Sequence, residues 1–361
     1  MKGVVEHLSV EVLKIPTDSP EGDGTFRWDS TTMVLVHLAA EGARGIGYSY
    51  ADAAAATLIE GKLAELVLGR TPFDIPACRA AMTASLRNLG ADGIGMLALS
   101  AVDAALWDLK GKLLDLPLVR LLGGARGSVP VYGSGGFTTY TREQLQRQLS
   151  GWVEHGIPRV KMKVGAGVRE EVDRVGAARE AIGAKAELFI DANGACTPKG
   201  ALALAEAILP HRVSWFEEPV PHSDRAGLRQ VRERAPAGME IAAGEYGFTL
   251  GYFHDLLAAG AVDVLQADAT RCGISGFMEA AVLASAYGVP LSAHCAPSLN
   301  LHPCCASPAV RHLEYFHDHV RIERLLFEGF VEPACGELAP APARPGLGVT
   351  LREDVARRYR M

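Results

Sequence analysis

Eight short apolar segments recur along the second part of the chain, each followed by a helix-patterned stretch, and that recurrence limits the folds open to it. They are VPVYG (129–133), RVKMKV (159–164), ELFIDAN (187–193), VSWFEEP (213–219), EIAAGEY (240–246), VDVLQAD (262–268), PLSAHC (290–295) and HLEYF (312–316). Their starts lie 22 to 30 residues apart, the length of one βα unit. Eight such units without a reversal predict an α/β fold built as a (β/α)8 barrel rather than an open, doubly wound sheet. The eighth strand reads as weak and the helix after it as short.

Residues 1–125 show no such period. Two strand-like runs, 4–15 and 32–38, flank the polar loop TDSPEGDGTFRWDS, and helical patterns follow over 53–68, from Pro76, and over 96–114. In the last of these Val102, Leu106, Leu109 and Leu113 form one apolar stripe. The expected organisation is an α+β capping domain over 1–125, the barrel over 126–325, and a segment, 326–361, that returns to the cap.

Composition narrows the class. A chain of 361 residues that is 48% apolar holds about two domains and is not a disordered one. No run reaches the ~18 apolar residues of a membrane-spanning helix, and MKGVVEHLSVEVLK lacks the apolar stretch of a signal peptide. With 36 basic and 42 acidic residues and no basic run, neither nucleic acid nor a membrane is an expected partner. The seven cysteines fit neither a disulfide framework nor paired zinc spacing. A reduced, cytoplasmic enzyme is expected.

Chemistry in such barrels sits at the C-terminal strand ends, and here those ends carry ionisable residues one after another. Strand two ends in Lys161 and Lys163, strand three in Asp191 and Asn193, and strand four in Glu217 and Glu218. Glu245, Asp268, His294 and Glu314 follow on strands five to eight. Singly, each has a bland reading as a turn, edge or satisfied core residue. Together they form a set of buried charges that must compensate itself. Asp191, Glu217 and Glu245, from adjacent strands, converge, and three carboxylates repel unless a cation lies between them. All-oxygen ligands favour a hard ion, Mg2+. Glu217 is preferred to Glu218 because it shares a face with Trp215. The competing reading is a structural ion-pair network with the two lysines. Crowding of Lys161 and Lys163 beside a metal is expected to lower a lysine pKa into the range of a base. Asp268 is placed to orient His294 across the site. A base on each side of a metal suits removal of the α-proton of a carboxylate.

These residues, with ALWDLKGKLLDLP…LLGG (105–124), KMKVG, DANG, FEEP, AAGE, QADATRCG, SAHCAPSLNLH and HLEY in order, resemble the enolase superfamily, specifically its mandelate racemase subgroup. The resemblance covers essentially the whole chain. It implies that Asp191, Glu217 and Glu245 bind Mg2+ and that Lys163 and His294, the latter paired with Asp268, are opposed acid/base residues. It further implies that Lys161 holds the substrate carboxylate, that Glu314 donates a hydrogen bond to the enolate oxygen, and that Asn193 supports the first ligand. Ser134 is aligned with a carboxylate contact. Phe26, Trp28, Tyr48 and Tyr50 in the capping loops are the candidates for substrate specificity. The subgroup commonly has two glycines where Gly273 stands alone, which puts the loop after Asp268 in question.

The implied reaction is dehydration of an acid sugar to a 2-keto-3-deoxy acid, with racemisation or epimerisation of a 2-hydroxy acid as the alternative. The expected partner is a small carboxylate, the acid sugar, and the expected assembly a homo-oligomer. Two readings from other classes compete. One is a nucleotide-binding enzyme, suggested by Gly165-Ala-Gly167 after a strand, although Glu170 would repel a pyrophosphate. The other is a non-catalytic binding barrel, which the loss of any acid/base residue or metal ligand would have supported; none is lost.

Overall fold

A computed structural model describes residues 3–165 and 167–361. Met1, Lys2 and Ala166, the last being the middle residue of the glycine-flanked segment considered above, lie outside the described residues.

The cap opens with an antiparallel sheet of β1 (His7–Gly22), β2 (Arg27–Ala40) and β3 (Ala43–Tyr50). Most of the segment read as a polar loop is therefore strand, and the reversal is confined to the few residues between β1 and β2. There the Asp23 carboxylate accepts from the amides of Thr25 (2.6 Å) and Phe26 (2.7 Å), which closes the turn. β3, absent from the sequence reading, lies against the Ile94–Leu113 helix. Gly45 and Gly47 permit that approach, since a Cβ at Gly47 would collide with the backbone of Ala101 and Ala105. The helical pattern over 53–68 is broken into α, π and 3-10 turns, Ala54–Leu58, Ile59–Leu63 and Ala64–Leu66.

Eight parallel strands follow: β4 (Val129–Gly135), β5 (Arg159–Lys163), β6 (Glu187–Asp191), β7 (Val213–Glu217), β8 (Glu240–Ala243), β9 (Val264–Ala267), β10 (Leu291–Ala293) and β11 (Val310–Phe316). Neighbours pair in chain order, and β11 pairs back onto β4 from Leu313↔Val131 to Phe316↔Ser134, so the barrel is closed. β11 and its ten-residue helix His317–Leu326 are full elements, contrary to the weak end expected from sequence.

Period-two alternation sorts each barrel strand into two faces. Outward residues such as Val160, Met162, Leu188, Ile190 and Ile241 join the large core shared with the helices. Inward, Tyr132, Phe189, Trp215, Ala242 and Val264 form a separate buried cluster. Phe189 and Trp215 stack at 5.2 Å and 21°. This plug lies two residues below Ser134, Asp191 and Glu217, so the same alternation that fills the barrel raises those polar side chains to its mouth.

The C-terminal segment reaches both parts. Glu337–Leu338 pairs antiparallel with β4, and Thr350–Leu351 with Phe327–Glu328. Tyr359 accepts from the amide of Lys14, and the Met361 amide donates to Val12. Another tie is buried His302. Its Nδ1 accepts from the Val119 amide (3.1 Å), while Nε2 bonds the Leu347 carbonyl (3.0 Å). Burial holds this imidazole down to about 4, below its ordinary value. A histidine with a depressed folded pKa contributes stability that is present above about 6.5 and is lost as the pH falls through about 4. We expect the urea midpoint to fall between pH 7 and 4.5, and to fall less in His302→Gln; an identical pH dependence in that variant would contradict this role. No helix among the described residues is long and apolar enough to cross a membrane.

Candidate active site

Each polar strand end is delivered by register. Parallel pairing sets Lys163 beside Asp191 and Asp191 beside Glu217, while Glu245 follows the end of β8 by two residues. Asp191, Glu217 and Glu245 are all buried, and one oxygen from each lies within 4.8 Å of the other two. Around them stands a ring of hydrogen bonds and ion pairs. Lys161 Nζ pairs with Glu217 Oε1, lies 2.8 Å from Glu314 Oε1 and 3.6 Å from Asp191 Oδ2. Lys163 Nζ donates to Asp191 Oδ2 at 2.5 Å. Trp215 Nε1, rising from the aromatic plug, donates to Glu217 Oε2 at 2.9 Å.

This donor set fits a hard divalent cation. Burial and the neighbouring Asp191 charge push the Glu217 carboxyl up to about 8, so its ionised form needs more positive charge than the two lysines supply. Glu245 Oε2 is buried with no hydrogen-bond partner among the described residues. Three carboxylates this crowded are what a cation requires. The lysines themselves depart from the sequence expectation. Burial pulls both ammonium groups down, but carboxylates outweigh it (Glu217 and Glu314 for Lys161, Asp191 for Lys163), and both stay above the ordinary lysine value.

Across the site, His294 Nδ1 is 2.9 Å from Asp268 Oδ2, and His294 Nε2 is 3.4 Å from Glu245 Oε2. Burial opposes protonation of this imidazole, yet Glu245 and Asp268 together raise its pKa. Asn300 buttresses the dyad, its Nδ2 donating to the His294 and Cys295 carbonyls at 3.0 and 3.1 Å. The lone Gly273 leaves this geometry intact. It takes a non-helical φ of 78° and ψ of 164° within the Ala269–Tyr287 helix, where a side chain would strike Asp103. Asp103 caps the resumed helix by accepting from the Ser275 amide (3.0 Å) and hydroxyl (2.6 Å).

A cavity of about 180 Å3 joins these groups. Lys163, Asn193, Glu245, Asp268 and His294 line it from the barrel, Trp28 and Tyr50 from the cap. The Asn193 amide also donates to Asp191 Oδ1 at 2.9 Å. Other candidates lie elsewhere. Tyr48 is fully buried and its hydroxyl donates to Glu323 Oε1 at 2.7 Å, so it packs the cap–barrel seam instead of the cavity wall. Phe26 is 67% exposed, stacks on Trp28 at 6.2 Å and does not line this cavity. Ser134 is buried in register with Lys161 and does not line the cavity. Glu314 accepts from Lys161 and from the Cys295 amide (3.0 Å). Burial disfavours its charge, but Lys161 and His294 hold it below the usual carboxylate range. Toward Lys161 and the Cys295 amide it is an acceptor, whereas the resemblance implies a donor role toward the enolate oxygen.

Sequence reasoning missed Arg271, Tyr246 and Cys295, all on the cavity wall. Arg271 stacks over Tyr246 at 4.3 Å and lies 3.7 Å from Glu245 Oε1. Cys295 Sγ is 3.2 Å from His294 Nε2. Adjacency to Glu245, Asp268 and His294 was the available signal. All seven ends of the charged set meet at one mouth, and acid/base groups from β5 and from the end of β10 face a common volume.

Comparison with known proteins agrees with this architecture. Residues 24–123 match the mandelate racemase / muconate lactonizing enzyme N-terminal domain, and residues 144–355 match the enolase C-terminal domain-like family. A mandelate racemase/muconate lactonizing enzyme-like protein from Rubrobacter xylanophilus is 51% identical, covering 99% of this chain and 100% of its own, with a TM-score of 0.97. The 3,6-anhydro-alpha-L-galactonate cycloisomerase of Streptomyces coelicolor is 33% identical over 96% of this chain and 97% of its own. The L-talarate/galactarate dehydratase of Salmonella typhimurium LT2, solved with Mg and L-lyxarohydroxamate, is 29% identical, with a TM-score of 0.90 and coverage of 99% and 93%. The chain belongs to the enolase superfamily, in its mandelate racemase/muconate lactonizing enzyme branch.

Proposed function

We propose that this protein is a Mg2+-dependent hydro-lyase that removes the α-proton of an acid sugar and expels the 3-hydroxyl, giving a 2-keto-3-deoxy acid. The observation that carries this reading is that Lys163, His294 and Glu245 line one cavity, with Glu245 clustered with Asp191 and Glu217. Asp191, Glu217 and Glu245 would hold Mg2+, which when bound supplies Lewis-acid stabilisation of negative charge on the substrate carboxylate. Lys161, fixed between Glu217 and Glu314, presents a positive charge to that carboxylate. Lys163 and His294 exchange protons with the substrate from their separate strands, one at the α-carbon and one at the departing hydroxyl. Asp268 holds the His294 Nδ1 proton and so leaves Nε2 facing the cavity. The likeness to a talarate/galactarate dehydratase bound to Mg and a sugar-acid analogue supports the substrate class and the ion. A homo-oligomer working in the cytoplasm completes the proposal.

A racemase or epimerase reading rests on the same pair. Two acid/base groups reaching one cavity from β5 and β10 also allow a proton to leave one face and return to the other. A panel of mono- and diacid sugars with Mg2+ in D2O separates the two. Dehydration is expected to release a 2-keto acid, with deuterium incorporated at C3 of the product. Inverted rotation with no keto acid would replace it by racemisation, and neither keto acid nor α-proton exchange with any acid would reject both.

A further inference from the structure

Outside the catalytic mouth, one group of side chains brings metal-ligating atoms together across the boundary between cap and barrel. Asp18 and Glu21 belong to β1, and His317 opens the helix after β11. One ligating atom from each lies within 4.8 Å of the other two, and Asp18 Oδ2 is 2.9 Å from His317 Nε2.

The backbone is shaped toward this point. β1 pairs with β2 up to Pro16↔Ser30 and resumes only at Glu21↔Trp28, so residues 17–20 bulge out opposite Asp29 alone. An excursion of that kind breaks the ladder and re-aims side chains; here it carries Asp18 over to His317. An ordinary ion pair accounts for those two residues and leaves Glu21 unexplained. Glu21 is fully buried. One of its oxygens accepts from Trp28 Nε1 at 2.9 Å, and the other is buried with no donor among the described residues. The nearby guanidinium of Arg321 is engaged by Asp318, at 2.5 Å. A buried carboxylate with a free oxygen, beside a second carboxylate and an imidazole, lacks a cation.

We infer that Asp18, Glu21 and His317 form a second divalent-metal site, distinct from the catalytic cluster, that fastens the cap hairpin to the barrel. One imidazole nitrogen with two carboxylates suits a borderline ion, Zn2+, better than Mg2+, which prefers an all-oxygen shell. Half-exposed Asp18 gives the ion an entry path. Through Glu21 the site touches Trp28, which lines the catalytic cavity, so an ion here fixes the cap's contribution to the cavity wall.

Equilibrium dialysis of Zn2+ against the Mg2+-saturated protein tests the assignment, with Asp18→Asn and His317→Gln as variants. Asp18 is on the surface, so its variant folds even if the other does not. The wild type is expected to bind one more Zn2+ per chain than His317→Gln, and Asp18→Asn to weaken that ion at least ~10-fold. The same ion is expected to raise the wild-type Tm, an effect that disappears in the variants. Equal stoichiometry and affinity in all three proteins would overturn the site. So would a wild type that binds no additional Zn2+ below millimolar concentration.

Discussion

Lys163→Ala is expected to lower kcat by about 10²- to 10⁴-fold, and His294→Ala by a similar factor, because each removes one of two positioned acid/base groups. Neither change should move KM by more than about threefold, since the substrate carboxylate is held by other residues. The asymmetry between the two is informative. In the structure Lys163 is an ammonium paired with Asp191, and that pairing overcomes a burial that favours the neutral amine. Once the Asp191 charge is engaged elsewhere, burial prevails and Lys163 becomes able to accept a proton. His294 is poised the other way, its charge sustained by Glu245 and Asp268. Lys163 is therefore expected to take the α-proton and His294 to deliver one. In D2O, His294→Ala should retain slow α-proton exchange while forming no product, and Lys163→Ala should lose both. A double variant with more than about a tenth of wild-type turnover would falsify the two-base mechanism.

Glu217→Gln should have an equal or larger effect through a different quantity. Both oxygens of Glu217 are engaged, one by Lys161 and the other by the Trp215 indole. Its neutral amide cannot contribute charge to a cation, and its NH2 group would face either the Lys161 ammonium or the indole N–H. We expect Mg2+ affinity, measured calorimetrically, to fall at least ~100-fold and turnover to drop to background at millimolar Mg2+. Exhaustive chelation of the wild type should abolish activity, and added Mg2+ should restore it. Full activity after chelation would remove the cation from the mechanism and leave the carboxylates as an ion-pair network.

The barrel was legible because its signal is repetitive. Eight apolar segments at a near-constant spacing constrain one another, and the polar end of each then stands out against its own apolar run. Asp191, Glu217, Glu245, Asp268 and His294 were visible for that reason. The cap has no such redundancy. β3 carries Gly45 and Gly47, which weaken any strand pattern, and only the helix packed against it explains them. The 53–68 segment has helical periodicity but resolves into three different turn types, because packing sets local pitch more tightly than propensity does. Tyr48 and Tyr50 look equivalent in sequence. Their environments separate them: Tyr48 is sealed against Glu323 and Phe327, whereas Tyr50 stacks on His319 at the cavity edge. Arg271 was hidden because it lies beyond its strand, on a helix whose first turn gives no periodic cue.

The hydrogen bonds that join Tyr359 (acceptor) and Met361 (donor) to β1 bear on how the molecule is made. The ion pair beside them, Arg360 with Glu11, joins residues 349 positions apart. Synthesis delivers β1 first and its last partner only after the whole barrel has emerged. The cap sheet must wait, incomplete along one side, while the barrel strands assemble in order. The cap that contributes Trp28 and Tyr50 to the cavity is therefore finished by residues synthesised after the barrel.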